Sequence, residues 1–114
     1  MRNTISFSRS IVKTLSAVEA EQARSNQHEL NGVAELKKLL GENKITFRAT
    51  FSTRGSNDQV DSDLTWYDAR EDHPTRSEFR LYFQTNSVMS QAKAGSTLYL
   101  GFDDNGAFNV ELVP

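Results

Sequence analysis

Hydrophobic and polar residues alternate along much of this chain, which is the pattern of β-strands with one buried face. In residues 44–51 and 79–83, apolar side chains occupy every second position. Shorter runs of the same kind predict a strand at 5–7, continued over 11–15 after a bend, and another strand at 64–67.

The C-terminal part of the chain predicts a β-hairpin. Residues 97–102 and 108–113 are two strand-like runs on either side of Asp103–Gly106, which reads DDNG. The pair Asn105-Gly106 supplies the positive backbone torsion angles that a tight turn between two strands requires.

Only short segments of the chain have a helical pattern. Apolar residues at positions 30, 33, 36 and 40 have helical spacing, and Gly41 is placed to close that helix. The polar stretches 52–61 and 69–74 have the composition of loops. Residues 19–29 are also polar, and they predict a loop or a frayed helix.

Together these patterns predict six or seven strands with one or two short helices, the second being a single turn at 88–93. The long crossover helices that parallel sheets need are missing from the pattern. We therefore expect a mostly β fold, either a mostly antiparallel barrel or a sandwich. With 114 residues, the chain has the length of one domain spanning 1–114.

Composition narrows the possible chemistry. The chain has no cysteine, which excludes disulfide scaffolds, thiolate zinc sites and cysteine nucleophiles, and it has two histidines far apart in sequence. We therefore expect no metal site, no cofactor and no catalytic residues. The net charge is −2, and we see neither a secretory signal nor a run of about 18 apolar residues, so we expect a cytoplasmic protein without a membrane span.

The most informative polar run is Thr75–Arg80. At strand spacing, Arg76, Glu78 and Arg80 fall on one face. Such a ladder can read base edges, because an arginine fork pairs with guanine O6 and N7 while a glutamate accepts from cytosine N4. Ion pairing along a solvated sheet face is the alternative explanation of the same spacing.

A second run of hydrogen-bonding side chains lies just before position 30. It offers the donors and acceptors that groove contacts use, and asparagine and glutamine can bind adenine through two hydrogen bonds. Capping of the helix expected near Leu30 is the alternative explanation. The candidate residues are Arg24, Ser25, Asn26, Gln27 and His28.

Trp66 and Tyr67 predict core packing, with the Tyr67 hydroxyl at the rim, and a base-stacking platform is the alternative. Asp61, Asp63 and His73 are the residues that a small metal-dependent hydrolase would use, but no complete set of ligands is visible beside them. Positions at solvent-exposed strand ends explain the presence of these aspartates better than a metal site does.

The two polar runs and their surroundings resemble the DNA-recognition domain of type II restriction endonucleases of the EcoRII and BfiI kind. LSAVEAEQARSNQHELNGV at Leu15–Val33 is similar to the first recognition loop of that family, and TRSEFRLYF at Thr75–Phe83 is similar to the second, whose pattern is Thr-Arg-x-Glu-x-Arg. DLTWYDAR at Asp63–Arg70 and the segment 95–113 resemble the surrounding strands, so the resemblance covers most of the chain.

This resemblance implies a seven-stranded, B3-like DNA-binding pseudobarrel in which two arms enter the major groove from either side. The N-arm would carry residues 24–28, with Asn26, Gln27 and His28 contacting bases. The C-arm would place Arg76 and Arg80 on guanines and Glu78 on a cytosine. Phosphate contacts are expected from Arg24, Lys13 and Arg48.

The resemblance also implies a separate nuclease, for which we see no room in this chain. We therefore expect sequence-specific recognition of double-stranded DNA in the major groove by a monomer, as the recognition module of a restriction-modification system. Cleavage would belong to another nuclease domain or subunit. A small-ligand or protein-interaction β-barrel, binding through an open face around Trp66 and Tyr67, is the alternative.

Overall fold

In a computed structural model of the chain, residues 7–20, 29–31, 34–70 and 78–114 are described. Seven strands form one sheet: β1 Phe7–Thr14, β2 Glu29–Asn31, β3 Ile45–Thr53, β4 Gln59–Asp68, β5 Phe79–Phe83, β6 Thr97–Asp103 and β7 Phe108–Val113. The helices are α1 at Ala17–Ala20 and α2 at Ala34–Leu40, with a 3-10 turn at Met89–Gln91. The turn lies within the helical turn that the sequence predicts.

The strands are ordered β1-β6-β7-β3-β4-β5-β2, so β1 and β2 form the two edges of the sheet. Neighbouring strands are antiparallel except for β3 and β7, which pair in parallel between Thr50–Thr53 and residues 109–112. The sheet curls into a half-barrel. The predicted mostly β, barrel-like fold with short helices is confirmed.

Every second residue of β4 and β5 points into a common core, as the alternating sequence predicts. Trp66 is fully buried there, and its ring stacks on Phe79 with the centroids 5.0 Å apart. The indole Nε1 donates a hydrogen bond to the carbonyl of Gly41 at 2.9 Å, which joins the end of α2 to the sheet. The core placement of Trp66 is confirmed, and the alternative that it forms part of an open binding face is wrong.

The predicted C-terminal hairpin is confirmed. The amide of Asp103 donates to the carbonyl of Ala107 at 2.8 Å, and the amide of Gly106 donates to the carbonyl of Asp103 at 3.0 Å. Gly106 has a φ of 82°, the left-handed conformation that ends a three-residue hairpin loop. The carboxylate of Asp103 accepts hydrogen bonds from the amides of Asn105 and Ala107, so this side chain also stabilises the turn.

Three element boundaries differ from the prediction. Leu30 was expected in a helix, but it lies in β2, where it pairs with Leu81 and is 2% exposed, and the helix starts at Ala34. The predicted loop 52–61 is shorter because Ser52 still pairs with Gln59. Strand β1 crosses the expected bend and has a register shift between Phe7 and Arg9. In all three places, backbone pairing extends strands over polar residues.

Candidate functional site

Strands β3, β4, β5 and β2 present one polar face, opposite the core. Cross-strand registers place Tyr67 beside Arg80 and Thr65 beside Tyr82, whereas the intervening residues Trp66 and Leu81 are buried. We call this surface the outer face. By alternation and register it carries Glu29, Lys44, Thr46, Arg48, Thr50, Asp61, Asp63, Thr65, Tyr67, Arg80 and Tyr82.

The predicted recognition residues fall only in part on described positions. Residues 24–28 and Arg76 lie outside them, whereas Glu78 and Arg80 lie inside. Strand β2 begins at Glu29, directly after residue 28, and β5 begins directly after Glu78. The structure therefore describes the points where both predicted arms join the sheet.

These two points lie at different ends of the β2–β5 ladder. Glu29 pairs with Tyr82, which follows Glu78 by four residues. At roughly 3.3 Å per residue, Glu29 and Glu78 are separated by about 13 Å along the strand direction. The outer face between them carries Arg80 and Tyr82.

Asp68 closes the base of the connection between β4 and β5. Its Oδ1 accepts hydrogen bonds from the amides of Glu78 at 2.7 Å and Arg70 at 2.9 Å, and the amide of Ala69 donates to the carbonyl of Glu78 at 2.7 Å. The two backbone donors lower the pKa of Asp68. The sequence pattern does not predict this role of Asp68, although an aspartate at the end of a strand is a recognised turn signal.

Arg80 lies between two carboxylates on the outer face. Its Nη2 is 2.8 Å from Glu78 Oε2, its Nε is 3.2 Å from the same oxygen, and its Nη1 is 3.4 Å from Glu29 Oε1. Hydrogen bonding to Arg80 is the main cause of a lowered pKa of Glu78, and the pKa of Arg80 is correspondingly raised. Arg70 Nε is a more distant neighbour of Glu78 at 3.8 Å.

Glu78 and Arg80 thus share one face, as their spacing predicts, and they form an ion pair in the free protein. Ion pairing was the alternative explanation of the Arg-Glu-Arg spacing, and it holds for this pair. The side chain of Arg80 is 25% exposed and that of Glu78 is 41% exposed, so both still reach the surface. The expected base contacts of Arg76, Glu78 and Arg80 stay predictions.

Tyr67 and Glu29 form a second hydrogen-bonded pair on this face. The Tyr67 hydroxyl donates to Glu29 Oε2. Tyr67 is half-buried and lies beside Arg80 on the outer face, so its predicted packing in the core is wrong. Glu29 therefore binds both Tyr67 and Arg80. The sequence pattern does not predict this role of Glu29, because only the β2–β5 register brings it to Arg80, 51 positions away.

Farther along the outer face, Arg48 pairs with Asp63 at 3.3 Å and Thr50 donates to Asp61 at 2.9 Å. The Arg48 side chain is 67% exposed, which leaves the predicted phosphate contact sterically open. His73 lies outside the described residues. In the part of the chain that the structure describes, no group of three or more histidine, aspartate or glutamate side chains could hold a metal ion.

The expected phosphate contact of Lys13 is wrong. Its Nζ lies 2.9 Å from Glu19 Oε2, and the two side chains are 11% and 4% exposed. Glu19 also accepts a hydrogen bond from the amide of Ser16 at 3.0 Å, in a capping box at the start of α1. A nearly buried ammonium that leaves its carboxylate partner would strand a buried charge.

A second arginine network lies around β7. Arg54 Nη2 is 2.7 Å from Glu111 Oε1, and the guanidinium lies over the ring of Tyr99, 4.6 Å from its centroid. The Glu111 side chain is 4% exposed, and hydrogen bonding to it raises the pKa of Arg54. Beside this pair, the hydroxyls of Ser52 and Thr53 are buried and have no hydrogen-bond partner among the described residues.

An apolar cavity of about 490 Å³ lies between the end of α2, the start of β3 and the β6–β7 hairpin. Ile45, Phe47 and Phe108 contribute to its walls, and Ile45 is 47% exposed. Arg48 and Asp61 border the cavity on the side of the outer face.

The sequence matches no protein family and no curated protein. The resemblance to restriction-enzyme recognition domains therefore rests on the sequence motifs alone. Among the described residues, no helix combines the length and the apolar character that crossing a bilayer requires.

Proposed function

We propose that this chain is a sequence-specific, double-stranded DNA-binding domain that reads a short site in the major groove. The observation that carries the proposal is the separation of the two arm attachment points, Glu29 and Glu78, by about 13 Å on one polar face. The major groove is about 12 Å wide, so segments that leave these points can reach its two sides. The restriction-enzyme resemblance of both segments supports the same function.

The Arg80 network is suited to discrimination between bases. In the free protein the guanidinium of Arg80 pairs with Glu78, and on DNA it would exchange that carboxylate for guanine O6 and N7. Glu78 would then accept from cytosine N4. At a wrong base the exchange brings no matching hydrogen-bond partners, so binding lacks the energy of these contacts.

The overall charge favours a domain that recognises one DNA sequence over a protein that binds DNA non-specifically. A net charge of −2 provides little attraction to phosphates, so affinity would depend on a few local contacts such as Arg48 and Arg24. Within the proposal, the chain binds DNA in the cytoplasm as a monomer. It does not cleave DNA itself, and a type II nuclease domain or subunit supplies the cleavage.

The test is selection from a randomised duplex pool, followed by binding of the enriched duplex and a scrambled control at two salt concentrations. We expect one short motif with strong discrimination. Arg80→Ala should then lose about 1 to 3 kcal/mol on the selected duplex and little on the scrambled one. Absence of any enriched motif would overturn the proposal.

Arg48→Ala is the matched control variant, because Arg48 lies on the same face but is expected to contact only phosphate. Arg48→Ala should weaken binding to both duplexes by a similar amount. It should also reduce the number of counterions released on binding by about one. An Arg80→Ala loss that is equal on the two duplexes would assign Arg80 to phosphate contact as well.

The apolar cavity beside Ile45 favours a second candidate function, a small-ligand or protein-interaction barrel. Its volume of about 490 Å³ is within the usual range of ligand pockets. Salt separates the two functions, because binding to phosphates weakens steeply as salt rises whereas binding in an apolar cavity does not. The second function would be favoured if binding did not weaken as salt rises and if Phe47→Ala, which alters the cavity wall, abolished that binding.

A further inference from the structure

The outer face contains a cavity of about 390 Å³ beside Glu29, one of the two arm attachment points. It spans four strands or strand ends, from the start of β3 to β2. Its lining residues are Glu29, Lys44, Thr65, Tyr67 and Tyr82.

Two tyrosine rings provide most of the flat surface in this cavity. Tyr82 lies on β5 between Thr65 and Glu29, and it is 42% exposed. Tyr67 lies two positions farther along β4 and is half-buried. Aromatic side chains that are open to solvent on a polar face are the usual platforms on which nucleobases stack.

The cavity also offers one hydrogen-bond acceptor and one donor of opposite charge. Glu29 is the acceptor, and its carboxylate is held in place by the Tyr67 hydroxyl and by Arg80 Nη1 at 3.4 Å. Each carboxylate oxygen keeps a further lone pair after these bonds. Lys44 is the donor, since it is exposed and forms no ion pair with any described residue.

We infer that this cavity is a nucleobase-binding pocket that takes cytosine or guanine. Both bases carry an exocyclic amine for Glu29 and a carbonyl for Lys44, whereas adenine has no carbonyl and thymine has no amine. The ring would stack on Tyr82. In a duplex, the base must leave the helical stack to enter the pocket, and this form of the inference rests on the proposed DNA-binding function.

The pocket is tested without DNA by titrating the ¹⁵N-labelled protein with each of the four 2′-deoxynucleosides. Saturable amide shifts at Glu29, Thr65 and Tyr82 are expected with deoxycytidine or deoxyguanosine, at roughly millimolar affinity. Equal shifts with all four nucleosides, or no shifts at these amides, would overturn the inference.

Variants of the pocket sharpen this titration. Tyr82→Ala should weaken binding about tenfold, because it removes the stacking ring, whereas Tyr82→Phe should retain it. Glu29→Gln should reduce the preference for bases with an amine. Val12→Ala is the control, since Val12 is 59% exposed on the opposite edge strand. Equal weakening in Val12→Ala and Tyr82→Ala would contradict a stacking role.

A duplex experiment separates the two proposals. In the selected duplex, 2-aminopurine next to a recognised cytosine or guanine should brighten on binding, and a mismatch at that pair should tighten binding. Selective binding with neither effect would overturn the extruded-base form while the DNA-binding function stands. Nucleoside binding without any enriched duplex would overturn the DNA-binding function and leave a pocket for free nucleosides or nucleotides.

Discussion

Two arginines on the same curled sheet illustrate different uses of an ion pair. Arg54 pairs with Glu111 on β7, one of the three central strands of the sheet, where the Glu111 side chain is 4% exposed and the Arg54 side chain is 43% exposed. Arg80 pairs with Glu78 and Glu29 near the edge, where the arginine is 25% exposed and the Glu78 carboxylate 41% exposed. The nitrogen–oxygen distances are nearly equal, 2.7 Å and 2.8 Å, for Glu111 and Glu78.

The location of the carboxylate decides what each pair does. Glu111 is enclosed by the sheet and depends on Arg54, so this pair stabilises the fold. Glu78 reaches solvent and can be solvated when Arg80 turns to another partner. The edge network around Arg80 can therefore exchange partners on binding. The central network around Arg54 cannot do so without leaving the buried Glu111 carboxylate unpaired.

The largest expected effect is on the central network. Arg54→Ala should lower the free energy of unfolding by about 2 kcal/mol, below the 3 to 5 kcal/mol for a fully buried pair because the guanidinium is partly solvated. Urea denaturation measures this loss. Arg48→Ala is the control, and its exposed pair with Asp63 should contribute no more than a few tenths of a kcal/mol. Equal losses in the two variants would contradict the structural role of Arg54.

A smaller loss is expected at the edge network. Tyr67→Phe removes the hydroxyl that donates to Glu29 and should lower the free energy of unfolding by about 1 kcal/mol. Tyr82→Phe is the control, because the Tyr82 hydroxyl forms no hydrogen bond with a described residue, and its stability should be unchanged. Thermal or urea unfolding of the two variants side by side gives the difference, and no difference would argue against an oriented Glu29.

Salt should separate the two networks further. At about 1 M salt the screening length is about 3 Å, so the exposed Arg80–Glu78 pair loses most of its attraction while the Arg54–Glu111 pair is screened less. The destabilisation caused by Arg80→Ala should therefore shrink with added sodium chloride, and that caused by Arg54→Ala should persist. Parallel shrinkage of both would contradict the contrast in burial.

The smallest expected effect is on acid stability. Backbone donors lower the pKa of Asp68, and the Ala107 amide is the main cause of a lowered pKa of Asp103. These carboxylates therefore stabilise the fold above about pH 4, where the unfolded chain is also ionised, and this contribution is lost as pH falls through their lower folded pKa.

Two variants assign this acid sensitivity to regions of the molecule. Below about pH 4, the free energy of unfolding should fall less steeply with pH in Asp68→Asn, which removes the contribution of the β4–β5 connection. Asp103→Asn should likewise remove the contribution of the β6–β7 hairpin. Urea unfolding across that pH range measures both contributions. A slope that neither variant changes would place the acid sensitivity elsewhere.

Much of the sheet could be predicted from the sequence, because alternation over five or more residues reports a buried face directly. This holds for strands β3, β5, β6 and β7. The DDNG hairpin could be predicted from its turn residues. Strand β2 could not be predicted, since three residues carry no period and the spacing of Leu30 to Leu36 also fits a helix. The ion pair of Lys13 could not be predicted either, because its partner Glu19 belongs to a separate element, α1.

The alternation of polar and apolar residues along the chain is enough to predict the fold class and to place Glu78 and Arg80 on one strand face. Three arrangements depend on the tertiary structure: Glu29 lies beside Arg80, Asp68 accepts a hydrogen bond from the amide of Glu78, and Tyr67 and Tyr82 line one cavity. The physical reason is that strand register is set by pairing across the whole sheet, which places side chains from distant positions within hydrogen-bonding distance.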